Sequence, residues 1–137
     1  MEYKQLIEIA FEIRDNAYAP YTGFKCAAVL LSQSGEIYAG TNVEISSLNC
    51  SLTAVQSAFT NALAGGEKKF SAIVIVGGLD DGEIDYCSPT GICRQFIQEF
   101  CLSDFKIILA RTSEDYIVYD FEDLFPVAFR KKNLIGE

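Results

Sequence analysis

The sequence contains no histidine. That removes the commonest metal ligand and the commonest general base, leaving acid–base or metal chemistry to carboxylates, thiols and hydroxyls. Basic residues are scarce as well: 11 Lys and Arg stand against 19 Asp and Glu, a net charge of −8. An acidic surface repels phosphate backbones, and there is no basic stripe or arginine-rich arm. Long nucleic acid is therefore not an expected partner, whereas a small neutral ligand is compatible with this charge. No run approaches the roughly 18 apolar residues of a membrane span, so no membrane partner is expected either. Glu2, Lys4, Glu8 and Glu12 break up the segment from Met1 to Arg14, which does not read as a signal peptide. The expected location is the cytoplasm. The five cysteines, Cys26, Cys50, Cys87, Cys93 and Cys101, are odd in number and read as reduced thiols rather than a disulfide framework.

Apolar material is plentiful: half the residues are hydrophobic and 12% are aromatic. That suffices for one core, and the length fits a single domain over residues 1–137. Leu6, Ile9, Ala10, Ile13 and Ala17 repeat at helical spacing and predict an amphipathic helix over 2–16, ended by Ala19-Pro20. Lys25 to Leu31 and Ile37 to Thr41, joined by Ser34-Gly35, predict a β-hairpin. Val55, Ala58, Phe59 and Ala62 mark a helix over 53–64 that Gly65-Gly66 stops. Phe70 to Val76 is a nearly continuous apolar run, the pattern of a central buried strand. Ser88-Pro89 resembles a helix start with a capping serine, and the helix continues through Cys93, Phe96, Ile97, Phe100 and Cys101. Lys106 to Ala110 and Ile117 to Asp120 read as short strands, followed by a terminal turn and short helix from Leu124. Helices alternating with strands predict an α/β fold, a three-layer α-β-α domain with a mixed sheet of about five strands.

Four segments carry a resemblance that covers almost the whole chain. They are Ala17 to Phe24, Thr41 to Glu44 leading into the helix at Thr53, Ser88 to Gln95, and Leu124 to Phe129. In order and spacing they resemble the small homotetrameric zinc-dependent cytidine deaminases, with this chain a divergent member. Such enzymes hold zinc on three thiolates, which lowers the pKa of bound water from about 15.7 towards 7. A neighbouring carboxylate moves protons onto the leaving ammonia. The resemblance places the first zinc cysteine on Thr53, the catalytic glutamate on Val55, the arginine that follows it on Gln56, and the other two cysteines on Thr90 and Cys93. Only Cys93 keeps a thiol. A hydroxyl is a far poorer zinc ligand than a thiolate, so the expectation is no cofactor and no catalytic residue. Thr53 and Thr90 fall at helix starts, where a hydroxyl can cap free backbone N–H groups. Cys50 and Cys87 each stand three residues before a position where the family has cysteine, and with Cys93 they could form a displaced site.

The nucleoside pocket is better kept. The resemblance sets Phe24 along the nucleoside, Asn42 and Glu44 on the ribose hydroxyls, the Ala54 backbone on the base, and Phe129 on the base of a neighbouring subunit. Asn42 and Glu44 are two apart on an extended segment and so share a face; an amide and a carboxylate suit a vicinal diol. From spacing alone the preferred reading is a solvated strand end, with Phe24 in the core; the resemblance favours the ribose site. Leu48 and Asn49 depart from an aromatic and a glycine that the family carries. The expected function is a catalytically inactive cytidine deaminase homologue that binds a nucleoside and forms dimers or tetramers. The alternatives are a structural subunit in a mixed tetramer and a residual deaminase with a displaced metal site.

Overall fold

A computed structural model describes residues 2–136. Five strands form one mixed sheet in the order β2-β1-β3-β4-β5, built from β1 (Phe24–Ser32), β2 (Ile37–Thr41), β3 (Phe70–Leu79), β4 (Lys106–Ala110) and β5 (Tyr116–Asp120). β1 runs antiparallel to both β2 and β3, with Cys26 opposite Gly77. β3 and β4 are parallel, as the intervening α3 (Gly91–Phe100) requires of a crossover, and β5 returns antiparallel.

Strand periodicity sorts the core into two halves. Ala27, Val29, Ala72, Val74, Val76, Ile108 and Ala110 face α1 (Tyr3–Arg14), which contributes Leu6, Ile7 and Ala10. Their sequence neighbours Ala28, Leu30, Ile73, Ile75, Ile107 and Leu109 face α2 (Ala54–Ala64) and α3, meeting Val55, Ala58, Phe59, Cys93 and Ile97. Helices thus cover both faces, giving the three layers that the sequence predicts. Two short helices close the chain, α4 (Phe121–Leu124) and α5 (Lys131–Ile135). Among the described residues no helix is long and apolar enough to cross a membrane.

Two contacts set the frame around the cleft described below. Arg14 is buried at the end of α1; its Nε donates to the Lys25 carbonyl at 3.1 Å and its Nη2 to the Gly78 carbonyl at 2.6 Å, fastening α1 to the ends of β1 and β3. On β2, a β-carbon at Gly40 would lie 2.3 Å from the Ala58 nitrogen and 2.7 Å from the Ala54 oxygen. Only glycine lets the α2 backbone settle this close to the sheet.

The predicted boundaries shift by a few residues. β3 continues through Gly77-Gly78 to Leu79, because β1 pairs with it that far. The third helix starts at Gly91 rather than at Ser88-Pro89: the chain is still extended at Thr90, with φ −71° and ψ 173°.

Candidate functional site

The start of β1, the segment from Asn42 to Glu44, the N-termini of α2 and α3 and the approach from Tyr86 to Thr90 enclose a cleft of about 920 Å³. That lies in the roughly 300–1,000 Å³ range of small-molecule sites. Phe24, Asn42, Glu44, Thr53, Ala54, Val55, Thr90 and Cys93 all line it, so residues spread over 70 positions of sequence converge.

Backbone pairing places the polar edge. Val43 bridges Tyr18 on one side and Leu52 on the other. Asn42 and Glu44 then turn the same way, and both side chains are engaged by the protein itself. Asn42 Oδ1 accepts from the Cys26 N–H at 2.8 Å, and Nδ2 donates to the Phe24 carbonyl at 2.8 Å. Glu44 Oε1 accepts from the N–H groups of Tyr21 (3.0 Å) and Thr22 (3.1 Å), and Oε2 accepts from the Thr22 hydroxyl. These bonds, the Thr22 hydroxyl first, hold the Glu44 carboxyl below its ordinary range. Each amide atom of Asn42 keeps one unused bonding direction, and a carboxylate has about four acceptor positions, of which three are filled. What remains is one donor and two acceptors on one face.

The other side of the cleft is built on two helix starts. At α2, the Gln56 N–H donates to Thr53 Oγ1 at 3.1 Å and the Thr53 N–H donates to Gln56 Oε1 at 3.0 Å. This reciprocal capping box uses the two residues that the resemblance aligns with a zinc cysteine and an arginine. Val55 is 2% exposed and forms the apolar floor with Ile75. At α3 the expected cap is absent: Thr90 makes no side-chain bond to the helix backbone. Its hydroxyl donates instead to Cys93 Sγ at 3.3 Å.

Sequence reasoning misses Cys26 here, and with it the partner of Cys87. Cys26 Sγ lies 3.8 Å from Cys87 Sγ, and both line the same cleft as Cys93. The two thiols are hydrogen-bonded, and either sulfur can be the donor. That bond holds Cys87 below the ordinary thiol range, while the same bond and burial push Cys26 up. The displaced trio drawn from the sequence does not assemble: Cys50 is exposed in a 3-10 turn at Leu48–Cys50 and is not part of the cleft wall. Nor does Phe129 reach the cleft of its own chain. It is 58% exposed, and its carbonyl accepts from Gln95 Nε2 at 3.0 Å.

Residues 1–77 match the family model described as the cytidine and deoxycytidylate deaminase zinc-binding region. The chain is 34% identical to a cytidine deaminase of Sporosarcina psychrophila over 98% of this chain and 96% of that protein. It is 32% identical to a probable cytidine deaminase of Dictyostelium discoideum, over 99% and 89%. The crystal structure of cytidine deaminase from Burkholderia pseudomallei superposes with a TM-score of 0.85 at 35% identity, covering 94% of this chain and 100% of that one. That of Mycobacterium tuberculosis superposes at 0.80 and 27% identity, covering 94% and 98%.

These similarities overturn the expectation of no cofactor, because the matched region is a zinc-binding one and zinc is the group it implies. The residues at the positions assigned by the resemblance do not fit a three-thiolate zinc ion. Thr53 Oγ1 is committed to the capping box and Thr90 Oγ1 to Cys93, leaving one thiol between two neutral hydroxyls. Among the described residues no three His, Cys, Asp or Glu side chains already surround a common point.

Proposed function

We propose, since this chain belongs to the cytidine and deoxycytidylate deaminase family, that it binds a pyrimidine nucleoside in the cleft and deaminates cytidine only slowly. The observation that carries the reading is the cleft itself: Asn42 and Glu44 present one donor and two acceptors beside Phe24, opposite the apolar floor of Val55 and Ile75. A ribose diol meets the polar edge, and a flat base lies along Phe24 and the floor. The Ala54 N–H, in the first turn of α2, has no intrahelical acceptor and is offered to a base carbonyl. Hydrolytic deamination adds water at C4 and expels ammonia, which must be protonated as it leaves. The valine at position 55 has no ionisable group to transfer a proton, and loss of such a group costs about 10²–10⁴ in rate. Glu44, already bound to Tyr21 and Thr22, stays with the ribose.

Calorimetry with cytidine, followed by chromatography for uridine, tests both parts. The expected trace is a saturable isotherm with a slow continuing heat and slow appearance of uridine. Phe24→Ala, which removes a half-exposed ring outside the core, is expected to weaken binding at least roughly tenfold. A flat trace would sink the nucleoside reading. Turnover as fast as that of a family member with the carboxylate would sink the claim about position 55.

A second reading concerns assembly. Val127, Phe129, Leu134 and Ile135 are exposed at the C-terminal end, which favours contact between chains; we place them in a homo-oligomer, a dimer or tetramer, in which Phe129 serves a neighbour's cleft. A mixed assembly with an active relative uses the same surface. The protein is taken to act as one cytoplasmic domain over residues 1–137.

A further inference from the structure

We propose that Cys26 and Cys87 are a dithiol that a low-molecular-weight disulfide oxidises reversibly to an internal disulfide bond in the cleft wall. The two thiols are in hydrogen-bond contact at 3.8 Å. A disulfide needs its sulfurs at about 2.05 Å, so closure is a movement of under about 2 Å. Gly77 stands opposite Cys26 across the pairing of β1 and β3. A β-carbon there would lie 2.7 Å from Cys26 Sγ and 2.8 Å from Cys87 Sγ, so the missing side chain is the space that the two sulfurs share. Both thiols are partly buried and both line the cleft, which gives a small reagent a way in. Cys93 and Cys101 are buried, and Cys50 lies outside the cleft wall.

The two sides of the pair are held unequally. Cys26 is fixed in β1: it pairs with Gly77, its N–H donates to Asn42 Oδ1, and its carbonyl accepts from the Asn42 N–H. Cys87 sits in a loop. From Glu83 to Ser88 no backbone–backbone hydrogen bond ties the chain, among the described residues. An anchor there is a side chain, Tyr86, whose hydroxyl donates to Asp115. Cys87 can therefore close on Cys26 through its own loop, without unpairing the sheet. The bond pins the wall from Tyr86 to Thr90 to the start of β1, near Phe24 and Asn42, and narrows the cleft between them. The exchange balances. The bond to Cys26 favours the Cys87 thiolate, which attacks one sulfur of the oxidant RSSR and expels RS⁻. Cys26 then gives up its proton, attacks Cys87 Sγ in the mixed disulfide and expels the second RS⁻. The protein loses two protons and two electrons, and the oxidant leaves as two RSH. A small dithiol in excess reverses both steps.

The test incubates the full chain with oxidised glutathione, quenches with acid, alkylates in denaturant and weighs the product. The folded parent is expected to lose two hydrogen atoms and to leave three of its five cysteines for alkylation. Peptide mapping should find Cys26 linked to Cys87, and dithiothreitol should restore all five thiols. Cys26→Ser and Cys87→Ser are each expected to form no internal bond, whereas Cys50→Ser and Cys93→Ser form it as the parent does. Thermal unfolding of each variant confirms that it is folded. Five alkyl groups on the treated parent, glutathione adducts with no internal link, or a link to any other cysteine would each overturn the proposal. Control of the cleft rests on the nucleoside reading above and is read separately. By calorimetry the oxidised chain is expected to bind cytidine roughly tenfold more weakly than the reduced one. Equal affinity in both forms would overturn that control. No affinity in either form would count against the nucleoside reading, while the mass and the peptide map still decide whether the bond forms.

Discussion

Two helices begin at the same cleft, each with a threonine at its cap, and the two threonines are used differently. Thr53 closes a capping box with Gln56, so the start of α2 is satisfied, neutral and sealed over Val55. Thr90 leaves the start of α3 uncapped by side chain and spends its hydroxyl on the sulfur of Cys93. The same residue type at equivalent places thus stabilises a helix in one case and a thiol in the other. The α2 end behaves as finished core; the α3 end and the neighbouring Cys26–Cys87 pair keep a sulfur-rich wall facing the cleft.

The largest expected effect comes from reopening the sealed end. Val55→Glu puts an unpaired carboxylate where Val55 is buried against Ile75, and an uncompensated buried charge costs roughly 3–5 kcal/mol. Urea unfolding at neutral pH should show that loss. Burial raises the folded pKa of the new acid, so stability should return as pH falls through that raised value and be fully restored below the unfolded value of about 4.3. An undiminished midpoint would mean that this floor is wet. Thr53→Ala is next: loss of the cap should cost about 1 kcal/mol in the same assay. Thr90→Val, by contrast, should change stability by less than about 0.5 kcal/mol. It should instead remove only the hydroxyl donor to Cys93 Sγ, outside the helix backbone. Equal stability losses at Thr53 and Thr90 would erase the contrast.

The smallest effect lies at the polar edge. Its hydrogen bonds depress the folded pKa of Glu44, so this group's contribution is present above the unfolded value. It is lost as pH falls through the lower folded value. Melting temperatures across that acid window should fall for the parent chain, and less steeply for Glu44→Gln.

The alternation of apolar residues made the sheet and its two covering layers readable from the sequence, and the Thr53 cap followed from its place before Val55, Ala58 and Phe59. The start of α3 was not so plain, because Ser88-Pro89 and Thr90-Gly91 both satisfy the rules for a helix start. The extended backbone at Thr90 decides between them. Cys26 carried a usable signal: it lies two residues after Phe24, and alternate strand residues share a face. Its pairing with Cys87, 61 positions away, depends on how β1, β3 and the approach to α3 meet in space, which no local pattern encodes. For Asn42 and Glu44 the two sequence readings merge, since the same atoms that brace the strand ends leave spare directions for a ligand.

Gly40 has the longest reach. The absent methyl on β2 lets α2 rest directly on the sheet, and the first residues of α2 are one wall of the cleft. The gap between the polar edge and the apolar floor is therefore gauged from behind, by a position that no ligand can touch. Whatever the cleft admits or refuses by size is decided there as much as by the residues that line it.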